Sequence, residues 1–148
     1  MDAGRATGTT EALLGEALDL NLGMEALAGE GVRSLAGANV LKRGIAGKMV
    51  RDATGLTLEG LYEEARAATA LLRRLRDGEA DLAQAHARLR GYASLLRRVA
   101  RFTKSLEPQA REKMKDPAAR ERTLGIARTH LAEADRLVAI LETLAAEE

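Results

Sequence analysis

Hydrophobic residues between Asp81 and Leu106 recur at alternating steps of three and four positions. This spacing places them on one face of an α-helix, and it is the clearest helical pattern in the chain. The apolar positions are Leu82, Ala85, Leu89, Tyr92, Leu96, Val99, Phe102 and Leu106. Because this face holds two of the chain's three aromatic residues, we predict that the segment is the central helix of a bundle.

A second predicted helix precedes the central one. It begins after Thr57, a favourable N-cap residue, and ends at Asp77-Gly78, where glycine can adopt the left-handed conformation that closes a helix. Its apolar positions are Leu58, Leu61, Ala65, Ala68, Leu72 and Leu75. Since only a few residues separate this helix from Leu82, we expect the two helices to pack as an antiparallel hairpin.

A third predicted helix follows Pro108, which ends the central one. Asp116 supplies the N-cap, Pro117 fits the first helical position, and the helix runs to about Ala146. Its apolar face is wide, with Leu124, Ala127, Leu131, Ala134, Val138, Leu141 and Ala145 flanked by Ile126, Leu137, Ile140 and Leu144. Either this helix fits between two others, or part of its surface awaits a partner.

The segment from Thr9 to about Asp52 combines helical spacing of apolar residues with many glycines, which cluster on the opposite side. A glycine inside a helix costs about 1 kcal/mol relative to alanine. Two interpretations stay open: the glycines allow another helix to approach closely, or the segment consists of shorter helices interrupted near Gly29-Glu30-Gly31 and near Gly44. The candidate helix-packing interface comprises Gly15, Gly29, Gly37, Gly44, Leu137, Ile140 and Leu144.

Together these patterns predict an all-α fold, an antiparallel helical bundle. Residues 57–148 form a three-helix bundle, and residues 1–56 form a glycine-rich helical arm of one or several helices. The 148 residues are enough for one domain. Hydrophobic residues make up 46% of the chain but aromatic residues only 2%, so the core must be built from aliphatic side chains.

The net charge of +1 argues against a general attraction to nucleic acid or anionic membrane. The chain has no cysteine, which excludes disulfides and thiolate chemistry. The amino terminus does not resemble a secretory signal, and no apolar stretch approaches the ~20 residues of a membrane-spanning helix. We therefore expect a soluble, cytoplasmic protein.

Candidate catalytic and metal-binding residues are few. Ser34, Ser94 and Ser105 lie outside any G-x-S-x-G motif, and neither His86 nor His130 has a glutamate three residues before it, as a di-iron bundle requires. Phosphate-binding loop motifs are also absent. We expect no enzyme activity, no metal, no cofactor and no small-molecule substrate.

Arg90, Arg97, Arg101 and Lys104 form a basic stripe on the polar side of the central helix. From His86 to Lys115 the chain has nine basic residues and two acidic ones, and such a row can neutralise backbone phosphates. The alternative is a solvated face that pairs across the bundle with glutamates, for which the candidates are Glu63, Glu64, Glu133 and Glu142. No exposed aromatic residue is expected to stack on bases.

The leading functional hypothesis is a non-enzymatic interaction or structural protein that assembles with itself or with a larger protein partner. It would use the glycine-rich arm or the surplus apolar surface of the last helix. The first alternative is a small helical subunit of a ribonucleoprotein complex that binds the nucleic-acid backbone. The second is membrane-surface binding through residues 32–51, whose basic and aliphatic composition is similar to that of interfacial helices, although no aromatic anchor is present.

Overall fold

In the computed structural model, which describes residues 8–147, the chain forms six helices and no strand. They are α1 (Thr10–Ala36), α2 (Val40–Thr54), α3 (Leu58–Arg76), α4 (Leu82–Ser105), α5 (Glu107–Lys113) and α6 (Pro117–Ala146). The predicted all-α helical bundle is therefore confirmed.

Four helix ends, those at Thr9, Thr57, Asp77-Gly78 and Asp116, lie where the capping residues predict them. The Thr9 and Thr57 hydroxyls each accept a hydrogen bond from the backbone N–H three residues later, at 3.1 Å and 3.0 Å. The Asp116 carboxylate accepts from the N–H two residues later at 3.2 Å, and Pro117 is the first residue of α6. Gly78 has a φ of 75° after the end of α3, the left-handed conformation that terminates helices.

The predicted interruptions of the glycine-rich segment are wrong in position. α1 continues through residues 29–31 and α2 through Gly44, whereas the chain leaves the helix at Gly37-Ala38-Asn39. The Asn39 side chain accepts a hydrogen bond from the Lys42 N–H at 2.9 Å, so an N-cap decides where the new helix begins. A single glycine weakens a helix by only about 1 kcal/mol, which packing can offset.

The helices pack mainly as two antiparallel pairs. α1 lies along α3, with Asn21 bonded to Thr69 and Gly29 against Tyr62. α4 lies along α6, where Arg97 pairs with Glu142. α1 also packs on α6, which joins the two pairs into one bundle. The short α5 lies against the start of α6.

α3 and α4 make few contacts with each other despite their short connection. The predicted tight packing of this hairpin is therefore wrong. Each helix finds a more extensive apolar partner elsewhere, α3 on α1 and α4 on α6, so the two diverge along one side of the bundle.

One hydrophobic core unites α1, α3, α4 and α6. It is largely aliphatic, as the composition predicts, and its most deeply buried side chains are Leu13, Leu72, Leu89, Leu137, Ile140, Leu141 and Leu144. Because α1 contributes to the same core as the C-terminal helices, the structure argues against an arm that folds separately from residues 57–148.

Candidate functional site

The basic stripe is divided between contacts within the chain and open surface. Arg97 forms an ion pair with Glu142 on α6, and the Arg90 guanidinium donates to the Ala145 carbonyl at 3.2 Å. Arg101 and Lys104 are exposed and make no ion pair within residues 8–147. Half of the stripe therefore helps to hold α6 against α4, and only the other half is free to meet a ligand.

The surplus apolar surface expected on the last helix is not available to a partner. Leu137, Ile140 and Leu144 are completely buried inside this chain. The last helix therefore fits between two others, α1 and α4, which is one of the two alternatives given by its wide apolar face. These three residues hold the bundle together. Ile126, near the start of α6, is the large apolar side chain of this helix that stays exposed.

The four candidate packing glycines have different environments. A Cβ atom added to Gly29 would lie 3.2 Å from Cε1 of Tyr62 on α3, so a side chain contacts this glycine closely. A Cβ at Gly15 or Gly44 would meet nothing within 4 Å, and one at Gly37 would make only ordinary contact with its own turn. Close packing on α3 involves Gly29 and also Gly31, which would meet Leu58 at 3.3 Å.

Three of the exposed large apolar side chains, including the two most exposed, lie together at the start of α2. Val40 is 76% exposed, Leu41 72% and Ile45 55%. Leu41 and Ile45 are four residues apart and thus neighbours on one helix face. We call these three residues the α2 surface. Exposed aliphatic side chains grouped in this way mark an interaction site more often than isolated ones do.

The other end of α2 is attached to the bundle. Val50 and Thr54 are its buried residues, and the Arg98 guanidinium of α4 donates to the Thr54 carbonyl at 3.0 Å. This bond satisfies a carbonyl that has no partner within its own helix. The attachment at the C-terminal end holds the α2 surface out from the bundle at the N-terminal end.

Basic residues surround the α2 surface. α2 contains Lys42, Arg43, Lys48 and Arg51 but only one acidic residue, Asp52, which pairs with Lys48 at 2.9 Å. The first turn has no acidic side chain to balance the positive end of the helix dipole. The exposed aliphatic side chains are therefore set in a positively charged rim.

A buried polar cluster lies where α1, α3 and α4 meet. The Asn21 amide, completely buried, donates to the Ala65 carbonyl and the Thr69 hydroxyl, both at 2.9 Å. Its carbonyl accepts from the Tyr92 hydroxyl, and Thr69 donates to Glu25 at 3.2 Å. Burial is the main reason why the pKa of Tyr92 is raised, so the phenol stays protonated as a donor.

This cluster was missed at the sequence level, where Asn21 and Thr69 belonged to no motif. The available signal was position, since Asn21 follows Ala17 by four residues and precedes Met24 by three, on the apolar face of α1. Every side chain of the cluster has a hydrogen-bond partner, which is what a structural role requires. The cluster therefore fixes how α1, α3 and α4 align.

The two histidines lie apart from any set of metal ligands. In the part of the chain that the structure describes, no group of three or more His, Asp or Glu side chains could hold a metal ion. His130 is buried beside an apolar cavity of about 180 Å³, and its Nδ1 has no hydrogen-bond partner within residues 8–147. Burial lowers the pKa of His130, while the nearby Glu133 opposes that shift.

The geometry thus offers an exposed apolar surface with a basic rim. Among the helices described, none is both long and apolar enough to cross a membrane. No protein-family model, curated protein or solved structure gives a significant match to the chain.

Proposed function

We propose that this chain is a non-enzymatic helical protein that binds a larger protein partner through the α2 surface. The observation that carries the proposal is the grouped exposure of Val40, Leu41 and Ile45 on a helix that is fixed to the bundle at its other end. Binding would remove these side chains from water, which is the main favourable term in protein association.

The rim indicates an acidic partner. Four basic residues and one acidic residue flank the aliphatic side chains along α2. An apolar centre with a charged rim is the usual anatomy of a protein interface, and complementary charge speeds association and orients the partner. We therefore expect the partner to present an apolar groove bordered by Asp or Glu.

A second copy of this chain fits the surface less well. In a two-fold symmetric dimer each α2 surface would meet its own counterpart. The excess positive charge of α2 would then meet the same charge on the other copy, and like charges across an interface are costly.

Membrane and nucleic acid are also less favoured. The α2 surface covers only two helical turns and lacks an aromatic residue, whereas interfacial helices use a long apolar face. The basic stripe is half engaged, because Arg90 and Arg97 bond to α6. We place the interaction in the cytoplasm, in line with a chain that lacks cysteine.

The experiment begins with a photo-crosslinking amino acid placed at position 41 in the native host. The same amino acid at position 126, which is exposed on α6, serves as the control. A partner that crosslinks from position 41 alone is then purified and titrated against the wild-type chain by calorimetry. The variants for the titration are V40S/L41S/I45S and the control I126S.

We expect the triple variant to lose binding and I126S to keep it, with an affinity for the wild type that falls as salt rises. Equal affinity of the triple variant would overturn the proposal. So would a wild-type chain that crosslinks only to itself from position 41, or that binds anionic vesicles or RNA through α2 instead of a protein.

A further inference from the structure

A cavity of about 400 Å³ lies between α3 and α4, beneath the turn that joins α2 to α3. We call it the α3–α4 cavity. It exists because α3 packs on α1 and α4 on α6, so the two helices diverge on this side. Its volume is within the usual range for sites that bind small molecules. It is separate from the α2 surface, at the opposite end of α2.

One wall of the α3–α4 cavity is aliphatic. Ala68 and Leu71 contribute from α3, and Leu89 and Leu95 from α4. The Tyr92 ring also lines the cavity, but its hydroxyl is already bonded to Asn21. This wall can receive an apolar body and offers it little hydrogen bonding.

The charged part of the lining is predominantly positive. Arg88 and Arg98 line the cavity together with one carboxylate, that of Glu64. Arg88 makes no ion pair within residues 8–147. The guanidinium of Arg98 donates one hydrogen bond to the Thr54 carbonyl, and its Nε is buried without any acceptor in the same part of the chain.

An arginine with an unsatisfied Nε–H in a cavity is suited to a carboxylate. The planar guanidinium donates through a fork of N–H groups that matches the two oxygens of a carboxylate. A buried donor without a partner is costly, so a ligand oxygen that bonds to it is favoured. Since water does not reach the Nε atom, the carboxylate must enter with a small adjustment of the side chain.

Gly91 keeps the mouth of the cavity open. It lies inside α4, lines the cavity, and a Cβ added there would meet nothing within 4 Å. Packing therefore does not require a glycine at this position, and the helix would be more stable with alanine. Gly91 thus leaves open space in the lining of the cavity, which a larger side chain would partly occupy.

From these observations we propose that the α3–α4 cavity binds a small organic carboxylate with an apolar tail. The carboxylate lies against Arg98, with Arg88 adding positive charge at the mouth, and the tail contacts Leu71, Leu89 and Leu95. The two arginines carry more charge than the single carboxylate of Glu64, so the cavity favours an acid over an amine. This site does not depend on the docking of a protein to the α2 surface.

The test uses hexanoate and phenylacetate as probes, with hexanamide and phenylacetamide as neutral counterparts. Each is titrated at millimolar concentration into the full chain, and the Nε–H signal of Arg98 and the backbone signals of Gly55 and Gly91 are followed by NMR. We expect at least one acid to shift all three signals and its amide to bind about tenfold more weakly or not at all.

Two variants locate the site. Arg98→Met removes the guanidinium N–H groups that bind the carboxylate, and Gly91→Leu places a side chain in the cavity. Each variant should weaken binding of the acid by about tenfold or more. The matched controls are Arg101→Met, an exposed arginine on the same helix, and Gly125→Leu, a helical glycine with open space around it that lies on α6. Both controls should bind as the wild type does.

Because Arg98 also holds the end of α2, Arg98→Met can unfold part of the chain. In that event Gly91→Leu and the comparison of acid with amide decide the question. The proposal is overturned if neither acid shifts the Arg98 signal, if acid and amide bind equally, or if Gly125→Leu weakens binding as much as Gly91→Leu.

Discussion

α1 and α2 come from one glycine-rich stretch of sequence and have different environments in the bundle. α1 buries Leu13, Leu14, Ala17, Leu18 and Met24 against its neighbours, whereas α2 buries only Val50 and Thr54. Both helices contain interior glycines, so glycine content does not explain the difference. The buried positions of α1 recur every three to four residues over about three turns, from Leu14 to Met24, and that repeat makes α1 part of the core.

The largest expected change in the free energy of unfolding comes from truncating a leucine of α1, and the matched substitution is a leucine of α2. Leu13→Ala should lower the free energy of unfolding by about 2–5 kcal/mol, because the side chain is almost fully buried and its loss leaves a cavity. Leu41→Ala should change it by less than about 0.5 kcal/mol, since Leu41 is 72% exposed. Urea unfolding followed by circular dichroism measures both. Similar losses in the two variants would contradict the distinction.

A smaller loss of stability is expected from replacing Asn21 of α1, and the matched substitution is Asn39, the N-cap of α2. Asn21→Ala leaves the buried Tyr92 hydroxyl without its acceptor, at a cost of about 1–3 kcal/mol, while the Thr69 hydroxyl keeps its bond to Glu25. Asn39→Ala removes only the N-cap of α2, which costs about 1 kcal/mol locally. We expect the urea midpoint to fall clearly in the first variant, while the second mainly loses helical signal from α2. A global loss from Asn39→Ala would show that α2 is as integral as α1.

Replacing a helical glycine by alanine should change stability by a smaller amount, and the change should differ between the two helices. Gly44→Ala should stabilise α2 by up to about 1 kcal/mol, because a Cβ there meets nothing. Gly29→Ala should lose that gain, because its Cβ would press on the Tyr62 ring at 3.2 Å. Hydrogen exchange of the amides in each helix reports the change. Equal stabilisation by the two substitutions would mean that α1 does not pack closely on α3 at Gly29.

The smallest expected effect is a dependence on pH at the contact of α6 with α1. Burial lowers the pKa of His130 below its value of about 6.5 in the unfolded chain. The unfolded state therefore binds the proton first as pH falls, and stability decreases below about pH 6.5 until the lower folded pKa is passed. Well above about pH 6.5 His130 is neutral in both the folded and the unfolded state, so it does not make stability depend on pH. His130→Leu should remove this slope in urea unfolding at several pH values, and His86→Leu, as the control, should keep it.

Much of the fold follows from local signals in the sequence. Thr9, Thr57, Asp116 and Pro117 start helices where capping rules place them, and the leucine repeats assign the inward faces of α3, α4 and α6. These signals act within one or two helical turns, which is why the chain order alone reveals them.

Pairing between helices was harder to predict. The short connection between α3 and α4 suggested a tight hairpin, but partner choice depends on how much apolar surface each helix can cover across the whole bundle. Leu137 and Ile140 illustrate the same limit, since a wide apolar face looks identical whether α1 or another protein covers it. The Asn21 cluster and the exposure of Leu41 likewise depend on contacts far apart in sequence.

Native-state hydrogen exchange across α1 and α2 compares the packed helix with the loosely attached one. We expect amides near Leu13, Leu18 and Asn21 to exchange only with global unfolding, whereas those from Leu41 to Ile45 should exchange through local opening at much lower free energy. Binding of the partner should then raise protection in the second group alone. Equal protection of the two helices in the free protein would show that α2 is a packed member of the core, with no separate surface for a partner.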